Sequence, residues 1–414
     1  MAGRKVIVVG GGAAGLMAAG QAALAGSDTI LLEKMNKPGR KICISGKGRC
    51  NITNIADVPD FIDHFGKTGK FLRQPFSQFF SAELMDFFNS QGVTLVTERG
   101  GRVFPASGKA YDVLDMFVRW LEQCNVTVNR SAGVEELLLQ DKEIRGVLCN
   151  NIEIRADAVI LATGGASYPA TGSTGDGYRL AASAGHHIIP VRPALVPLET
   201  SGETAGRMAG LNLRNVAVSM FINGRKHRQA FGELVFAEFG VTGPVVLTLS
   251  GEAVDALRDG KKVEFSIDLK PALDEQKLDV RLLRDFESRR REEIGSVLRG
   301  LLPREMVPVC LECIGVAPDI PACQVNAGAR RRLRLWCKDF RLNVTGFRPF
   351  TEAIITAGGV DTREVNPRTM ESKLIKGLYL AGELLDIQGD TGGYNLQAAF
   401  STGWLAGRSA GRGS

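Results

Sequence analysis

The chain has 414 residues and a formal net charge of +6, from 51 Lys or Arg against 45 Asp or Glu. This length allows two or three domains, and a hydrophobic fraction of 44% excludes an intrinsically disordered chain. The 49 glycines follow no three-residue period, which excludes a collagen-like protein and predicts many tight turns.

The first apolar run, residues 6–27, follows Arg4 and Lys5 and imitates a signal peptide. Glycines interrupt this run, and no later apolar run approaches the roughly 20 residues of a membrane span. The eight cysteines are scattered along a chain long enough to fold without disulfides. These features predict a soluble cytoplasmic protein with free thiols and no membrane partner.

The same N-terminal run has the pattern of a dinucleotide-binding unit. A β-branched strand, Val6 to Val9, is followed by Gly10-x-Gly12-x-x-Gly15 and by an alanine-rich helix over about 13–25. Such glycines allow a sharp turn, and the N-terminus of the helix then binds a pyrophosphate. A second strand ends at Glu33, where a carboxylate can accept hydrogen bonds from the ribose of an adenosine.

The next segment, "PGRKICISGKGRCNITN" at residues 38–54, combines glycines, basic side chains and two cysteines. It lacks the G-x-x-x-x-G-K-[ST] spacing of a nucleotide-triphosphate loop. It also lacks a C-x-x-C pair, and the four histidines are distant in sequence, so no metal site is predicted.

Two later segments repeat the arrangement of strand followed by glycine turn. Residues 158–162 form a buried apolar run before Thr163-Gly164-Gly165, and Leu378 to Ala381 precede a Gly-Glu turn. A helix is predicted from about Asn395, after a glycine-rich loop, and its N-terminus offers free N–H groups to an electron-rich ligand.

The segment from about 191 to 343 has a different composition and is predicted to be an insertion. Alternating stretches such as "NVAVSMFING" and "KKVEFSIDLK" predict antiparallel strands, and residues 274–302 predict one or two amphipathic helices. Residues 191–345 contain 24 Lys or Arg against 20 Asp or Glu. The runs Arg289 to Arg291 and Arg330 to Arg334 are interpreted as solvated helix faces.

Together the segments "GRKICISGKGRCNITN", "GRVFPASGKAYDVLD", "ATGGASYPATGSTGDGY", "FGVTGP" and "AGELLDIQGDTGGYNLQAAFSTG" resemble the BaiN-like flavoproteins. That family includes aminoacetone oxidase and belongs to the glutathione-reductase-type FAD proteins. The resemblance implies an α/β fold, with a Rossmann-like FAD-binding domain at 1–190 and 344–414. It also implies an inserted β-barrel and helical domain at 191–343 that covers the exposed face of the flavin.

The glycine motif and the resemblance together imply a set of FAD-binding residues. The first motif and Glu33 would hold the ADP half, Val134 would lie by the adenine, and Ser45 to Asn51 would run under the flavin. The full set is Gly10, Gly12, Ala13, Ala14, Gly15, Glu33, Lys34, Arg40, Lys41, Ser45, Gly46, Arg49, Cys50, Asn51, Val134, Ala162, Thr163, Gly164, Gly382, Glu383, Gly393, Asn395 and Leu396.

The pair Cys43 and Cys50 raises the alternative of a redox disulfide, because disulfide reductases of this fold place a dithiol after the first nucleotide motif. The family pattern keeps a cysteine at Cys50 and usually has an aliphatic residue at Cys43, so packing thiols are expected instead. Cys310 and Cys313 are likewise interpreted as core residues of a helix.

Candidate catalytic residues are polar groups in the family-matching segments: Arg102, Lys109, Tyr168, Glu238 and Tyr394. One departure from the family concerns a proton donor. Where the family has Phe-Thr-His before Gly-x-Ser-Gly-Pro, this chain has Phe236-Ala237-Glu238 and Thr242. A histidine proton donor therefore does not carry over to this position.

The resemblance leaves two reaction directions open. A reductase would take hydride from NAD(P)H, bound transiently, and pass it through flavin N5 to an electron-poor, enone-like small molecule. An oxidase would take hydride from an amine such as aminoacetone. A third alternative is an RNA-modifying flavoprotein, which is disfavoured because few aromatics accompany the arginine runs. The sequence predicts neither the substrate nor the oligomeric state.

Overall fold

The computed structural model describes residues 3–413 and contains two compact units. One unit comprises the chain up to Pro193 together with the chain from Phe350 onward, and the other is Ala194–Pro349. The boundaries predicted at 190/191 and 343/344 fall inside the strands Ile188–Ala194 and Phe340–Phe347. The functions that we assigned to the two domains remain predictions.

The first unit is built on a five-stranded parallel sheet whose inner strands are short, apolar and largely buried, as expected for a sheet covered on both faces. The edge strand Thr127–Arg130 is polar and mostly exposed. Val8 lies in the middle strand and pairs with Leu31 on one side and Ile160 on the other. In spatial order the strands are Leu378–Leu380, Ala158–Leu161, Lys5–Val9, Asp28–Glu33 and Thr127–Arg130.

Three smaller sheets complete the strands of this unit. They are the antiparallel sheets Val134–Gln140, Glu143–Cys149, Ile152–Arg155 and Thr53–Asn54, Arg102–Pro105, Leu95–Thr97, and the pair Ile188–Ala194 with Ile355–Val360. The α-helices are Ala13–Leu24, Arg40–Gly48, Val58–Asp63, Arg73–Gln78, Ser81–Ser90, Ala110–Gln123, Asp176–Ser183 and Tyr394–Arg412. Short 3-10 helices lie at Gly66–Leu72, Pro169–Thr171, Thr362–Glu364 and Gly382–Leu384.

The first helix, Ala13–Leu24, and the last helix, Tyr394–Arg412, pack against each other at backbone distance. A β-carbon added at Gly403 would lie 2.3 Å from the carbonyl oxygen of Ala14. The same added atom at Gly407 would lie 2.3 Å from the oxygen of Ala18. Glycines four residues apart on one face of the last helix therefore allow this close approach.

The second unit contains a closed six-stranded barrel, which confirms the predicted β-barrel. In spatial order its strands are Leu198–Thr200, Gly240–Thr242, Arg225–Ala237, Asn212–Ile222, Val263–Asp268 and Phe340–Phe347. Its α-helices are Pro244–Arg258, Glu275–Ser288, Ile294–Leu298, Met306–Ile314 and Ala327–Lys338, with 3-10 turns at Gly206–Met208 and Ala322–Gln324. Cys310 is buried in its helix, whereas Cys313 is exposed, so the core interpretation holds only for the first cysteine.

Within residues 3–413, no helix combines the length and the apolar composition that crossing a membrane requires.

The helix crossing yields a stability prediction. Replacing Gly407 by Ala forces a methyl group against the backbone of Ala18, and overpacking of this kind costs about 1–3 kcal/mol in the free energy of unfolding. Gly251→Ala is the matched control. Gly251 lies in the interior of the helix Pro244–Arg258, and an added β-carbon there would meet no heavy atom within 4 Å. That control should gain up to about 1 kcal/mol from helix propensity. Urea unfolding followed by circular dichroism measures both, and equal stability of the two variants would contradict the prediction.

Candidate functional site

The first glycine turn has the geometry that a pyrophosphate site needs. Gly10 has a φ of +100°, and an added β-carbon would lie 2.7 Å from the oxygen of Ala162. An added β-carbon at Gly15 would lie 1.8 Å from the oxygen of Gly10. Because Gly15 has no side chain, the start of the helix packs directly on the turn. At Gly12, which caps the helix, the same atom would meet nothing within 4 Å. Open space therefore lies at the helix N-terminus, where a phosphate group binds.

Glu33 ends its strand beside this turn and is 9% exposed. Its Oε2 atom accepts a hydrogen bond from the Gly11 amide at 2.7 Å, and its Oε1 atom accepts one from the Met35 amide at 2.7 Å. These amides orient the carboxylate, and each oxygen keeps a lone pair for a further donor. Ala132 donates its amide to the Glu33 carbonyl, which brings the strand that begins at Val134 close to the same point.

The carboxyl ends of the parallel strands bring three predicted segments together. Thr163 follows one strand, and its Cα would lie 2.9 Å from a β-carbon on Gly10. Gly382 follows another strand with a φ of +74°, and its added β-carbon would lie 2.8 Å from that of Ala14. The first helix, the turn after Leu161 and the Gly-Glu turn thus surround one location, as expected at this edge of an open α/β sheet.

The basic stretch begins as the helix Arg40–Gly48 and leaves helical geometry before that helix ends. Gly46, Lys47 and Gly48 have φ values of +56°, +58° and +82°. An added β-carbon on Gly46 would lie 2.9 Å from the amide nitrogen of Asn51, so the loop folds back on itself. The predicted irregular backbone between Ser45 and Asn51 is therefore present.

Lys41 joins this stretch to the Gly-Glu turn. Its Nζ atom lies 2.7 Å from the Glu383 Oε2 atom and donates to the Ser167 hydroxyl at 2.6 Å. The other carboxylate oxygen of Glu383 accepts from the Thr356 amide at 2.7 Å. Both side chains are about a quarter exposed, so this ion pair is partly shielded and holds two predicted segments at a fixed distance.

The start of the last helix lies against the end of the same stretch. An added β-carbon on Gly393 would lie 2.3 Å from the carbonyl oxygen of Thr53, and the Asn54 side-chain amide donates to the oxygen of Gly392 at 3.1 Å. The Asn395 side chain turns back onto the preceding loop, where it accepts from the Gly389 amide and donates to the Gly389 oxygen. Asn395 therefore shapes this loop, and Leu396 packs on the core.

Three buried oxygens in these segments have no hydrogen-bond partner among residues 3–413: Asn51 Oδ1, Thr163 Oγ1 and Gln388 Oε1. Unpartnered buried polar atoms are uncommon in native proteins and indicate a missing partner. The ribityl hydroxyls and ring N–H of a flavin are donors of the required kind. The open space at Gly12 and these acceptors therefore fit a bound FAD.

The remaining predicted cofactor residues have partners within the protein or are exposed. Lys34 pairs with Asp176, and Arg49 pairs with Glu98 while its guanidinium lies 4.1 Å from the centre of the Phe104 ring. Arg40 is exposed at the helix start. A cofactor contact by Lys34 or Arg49 therefore stays a prediction, and it requires the ion pair of that residue to break.

The thiol of Cys50 is fully buried, and burial raises its pKa to about 12. Burial also raises the pKa of Cys43. Both thiols are free in this structure. Because the thiolate is the nucleophile in thiol chemistry, a protonated and inaccessible Cys50 argues against a redox disulfide.

The predicted catalytic residues lie on different elements of the structure. Arg102 is exposed, with Nη2 3.8 Å from Glu98 Oε2, and Lys109 is exposed before the helix Ala110–Gln123. Tyr168 adopts a φ of +52° in the first unit. Glu238 is exposed in the turn after strand Arg225–Ala237 of the second unit.

Tyr394, by contrast, belongs to a group that the sequence did not reveal. Its ring is 6% exposed and stacks on the His64 ring, with 3.9 Å between the centroids. His64 Nδ1 lies 3.0 Å from Asp390 Oδ2, and the Asp390 amide donates to the His64 carbonyl at 3.1 Å. Burial, then Asp390 and Asp60, raise the pKa of the Tyr394 phenol, so it stays protonated. No local sequence signal links His64 to Asp390, which is 326 residues away.

Comparisons with known proteins agree with this geometry. A family model described as HI0933-like protein Rossmann domain matches residues 4–409. The chain is 33% identical over 408 residues to a 3-dehydro-bile acid delta(4,6)-reductase of Clostridium scindens, covering 98% of each chain. It is 31% identical over 403 residues to a ribosomal RNA dihydrouridine synthase of Escherichia coli, covering 96% of each.

Among solved structures, a 3-ketosteroid delta1-dehydrogenase of Sterolibacterium denitrificans matches with a TM-score of 0.52 at 14% identity. The match covers 99% of this chain and 100% of that chain, and it establishes the fold alone.

The glycine turn allows a test of FAD binding. Gly12→Val should lower the free energy of unfolding of the apoprotein by no more than about 1 kcal/mol, since the site is open and the loss is that of a favourable N-cap residue. The variant should be purified without FAD, because its methyl groups occupy the pyrophosphate position. Absorbance at the flavin band and reconstitution with FAD measure the effect. Gly15→Ala should lose both fold and FAD, and a Gly12→Val protein with a full complement of FAD would contradict the assignment.

Proposed function

Because the chain belongs to the HI0933-like Rossmann family and is an FAD-dependent oxidoreductase, we propose that it reduces a carbon–carbon double bond conjugated to a carbonyl group, with NAD(P)H as the electron donor. The proposed substrate is an enone-like small molecule. The observation that carries the proposal is the full-length similarity to a delta(4,6)-reductase that acts on a 3-dehydro, or 3-oxo, bile acid. When bound, FAD supplies hydride chemistry at N5.

The residues of the first unit would bind and orient the cofactor. The N-terminus of helix Ala13–Leu24 would stabilise the pyrophosphate, and Glu33 would accept from the ribose. Asn51 and Gln388 would accept hydrogen bonds from donors of the flavin or its ribityl chain. The N–H groups at the start of helix Tyr394–Arg412 would stabilise negative charge that develops on the ring.

Reduction of a conjugated double bond places a hydride on one carbon and a proton on the other, so the site needs a proton source. We propose His64 for this role. Its Nδ1 atom is held by Asp390, and its Nε2 atom has no partner within residues 3–413. The His64 side chain is 38% exposed, which allows solvent to return the proton.

A second candidate reaction is the reduction of uracil in RNA. The specific observation that favours it is the 31% identity to a ribosomal RNA dihydrouridine synthase over 96% of both chains. The double bond of uracil is also conjugated to a carbonyl group, so the same site chemistry serves both substrates. An amine oxidase would run electron flow in the opposite direction, from the substrate to the flavin. The experiment below distinguishes it from both reductases.

The direction of electron flow can be measured by anaerobic stopped flow. We expect NADPH or NADH to bleach the flavin absorbance, and 2-cyclohexen-1-one, added afterwards, to restore it. Aminoacetone should leave the oxidised flavin unchanged. Uridine and a uridine-containing RNA hairpin serve as further acceptors and distinguish the two candidate substrates. Bleaching by aminoacetone, with neither nicotinamide acting within minutes, would reverse the proposal.

The role of His64 has its own test. His64→Gln should slow reoxidation of the reduced flavin by the enone by about 10²–10⁴-fold, the usual contribution of general acid catalysis. Bleaching by the nicotinamide should change only a few fold, and FAD content should stay unchanged. His227→Gln, at an exposed histidine paired with Glu252, is the matched control. Recovery of the rate by added imidazole would distinguish proton transfer from altered packing, and an unchanged reoxidation rate would exclude His64.

A further inference from the structure

The surplus positive charge of the second unit is concentrated at one end of the barrel. Residues 194–349 contain 24 Lys or Arg and 20 Asp or Glu, a net charge of +4. Nine of these residues, 223–226 and 258–262, contain five cations and one acid and therefore account for the same +4. We call these nine residues the basic tip; its cations are Arg225, Lys226, Arg258, Lys261 and Lys262.

The fold brings the two parts of the basic tip together. Asn223 and Gly224 form the turn between strands Asn212–Ile222 and Arg225–Ala237. The Asn223 amide donates to the Lys262 carbonyl at 2.9 Å, and the Lys262 amide donates to the Asn223 side chain at 2.9 Å. Helix Pro244–Arg258 ends beside them, since the Lys261 amide bonds to Ala256.

The cations of the basic tip are exposed, and most are not neutralised. Among the cations of the basic tip, and within the part of the chain that the structure describes, only Lys261 forms an ion pair, with Asp259 at 2.8 Å. Lys226 donates to the uncharged side chain of Gln229. Arg225 and Lys262 have no acidic partner among residues 3–413, and Arg258 has only the neighbouring Asp259, which already pairs with Lys261. Like charges so close in space repel one another, so a polyanion would gain free energy by binding there.

The arginine runs of the sequence behave differently. Arg289 pairs with Glu292, Arg290 with Glu287, and Arg330 with Asp279. The interpretation as helix faces is wrong for Arg289 to Arg291, which lie in a turn after the helix Glu275–Ser288. It holds for the position of Arg330 to Arg334, which lie on the helix Ala327–Lys338. Phe231, further along the hairpin strand of the basic tip, is 66% exposed, which supplies an aromatic surface for an unstacked base.

We propose that the basic tip binds the sugar–phosphate backbone of a structured RNA. This proposal extends the second candidate function, the reduction of uracil in RNA. It depends on that function only for the identity of the substrate. Exposed Lys and Arg that contact phosphates release counterions from RNA, so their contribution appears as a salt dependence of the binding constant. Because binding is measured without an electron donor, its failure leaves the reduction of an enone untouched.

The experiment uses the full-length holoprotein and a fluorescein-labelled RNA hairpin, followed by fluorescence anisotropy between about 50 and 200 mM salt. The triple variant Arg225→Gln, Lys226→Gln, Lys262→Gln should bind more weakly at every salt concentration. Its slope of log K against log salt should be smaller than that of the wild type by about 2 to 3, or roughly one for each lost phosphate contact.

The matched control is Arg207→Gln, Lys277→Gln, Arg290→Gln, which removes the same formal charge from three exposed, ion-paired side chains. The slope of log K against log salt for this control should equal that of the wild type. Equal slopes for the two triple variants would overturn the proposal, as would no binding by the wild type at about 50 mM salt. Vesicles containing phosphatidylserine form a third arm, and binding to these vesicles without binding to RNA would assign the basic tip to a membrane surface instead.

Discussion

The contact on which the first unit depends is the backbone-to-backbone packing of its first and last helices. Gly403 and Gly407 of the last helix lie directly on Ala14 and Ala18 of the first, without a side chain between them. One helix begins at the turn predicted to hold pyrophosphate, and the other begins where N–H groups are predicted to meet an electron-rich ligand. Since helices are rigid at this length, fixing their crossing fixes the distance between their N-termini. A ligand that spans both therefore meets two positive helix ends at a set separation.

Local patterns in the sequence predicted the first strand, the first helix and the last helix well. The series of strand, glycine turn and helix gave the first strand and helix to within a residue, and the last helix begins at Tyr394 where about Asn395 was expected. These elements are set by propensity and by glycines whose φ values only glycine tolerates, which are local properties. The helix crossing was not predicted, and the structure alone shows that the glycines of "FSTGWLAGRSAG" contact Ala14 and Ala18.

Side-chain partners were the part that the sequence could not supply. The family resemblance implied cofactor contacts for Lys34 and Arg49, yet Asp176 and Glu98 hold them in ion pairs. A sequence shows which residues carry charge, but a partner more than a hundred positions away depends on the tertiary fold. His64 shows the same limit, since both its stacking on Tyr394 and its bond to Asp390 connect distant segments.

Charge density along the chain also differs from charge density in space. The arginine runs are the most basic stretches of the second unit in sequence, but nearby acids form ion pairs with Arg289, Arg290, Arg330 and Arg334. The basic tip is less conspicuous in sequence, because its two parts are separated by 31 residues and meet only through the pairing of the barrel strands.

The chemistry of a conjugated carbonyl group sets no limit on the size of the molecule that carries it. Selection between a small enone and a uracil in RNA must therefore come from contacts beyond the reacting bond, and unneutralised charge is the property that distinguishes a polyanion from a steroid-sized substrate.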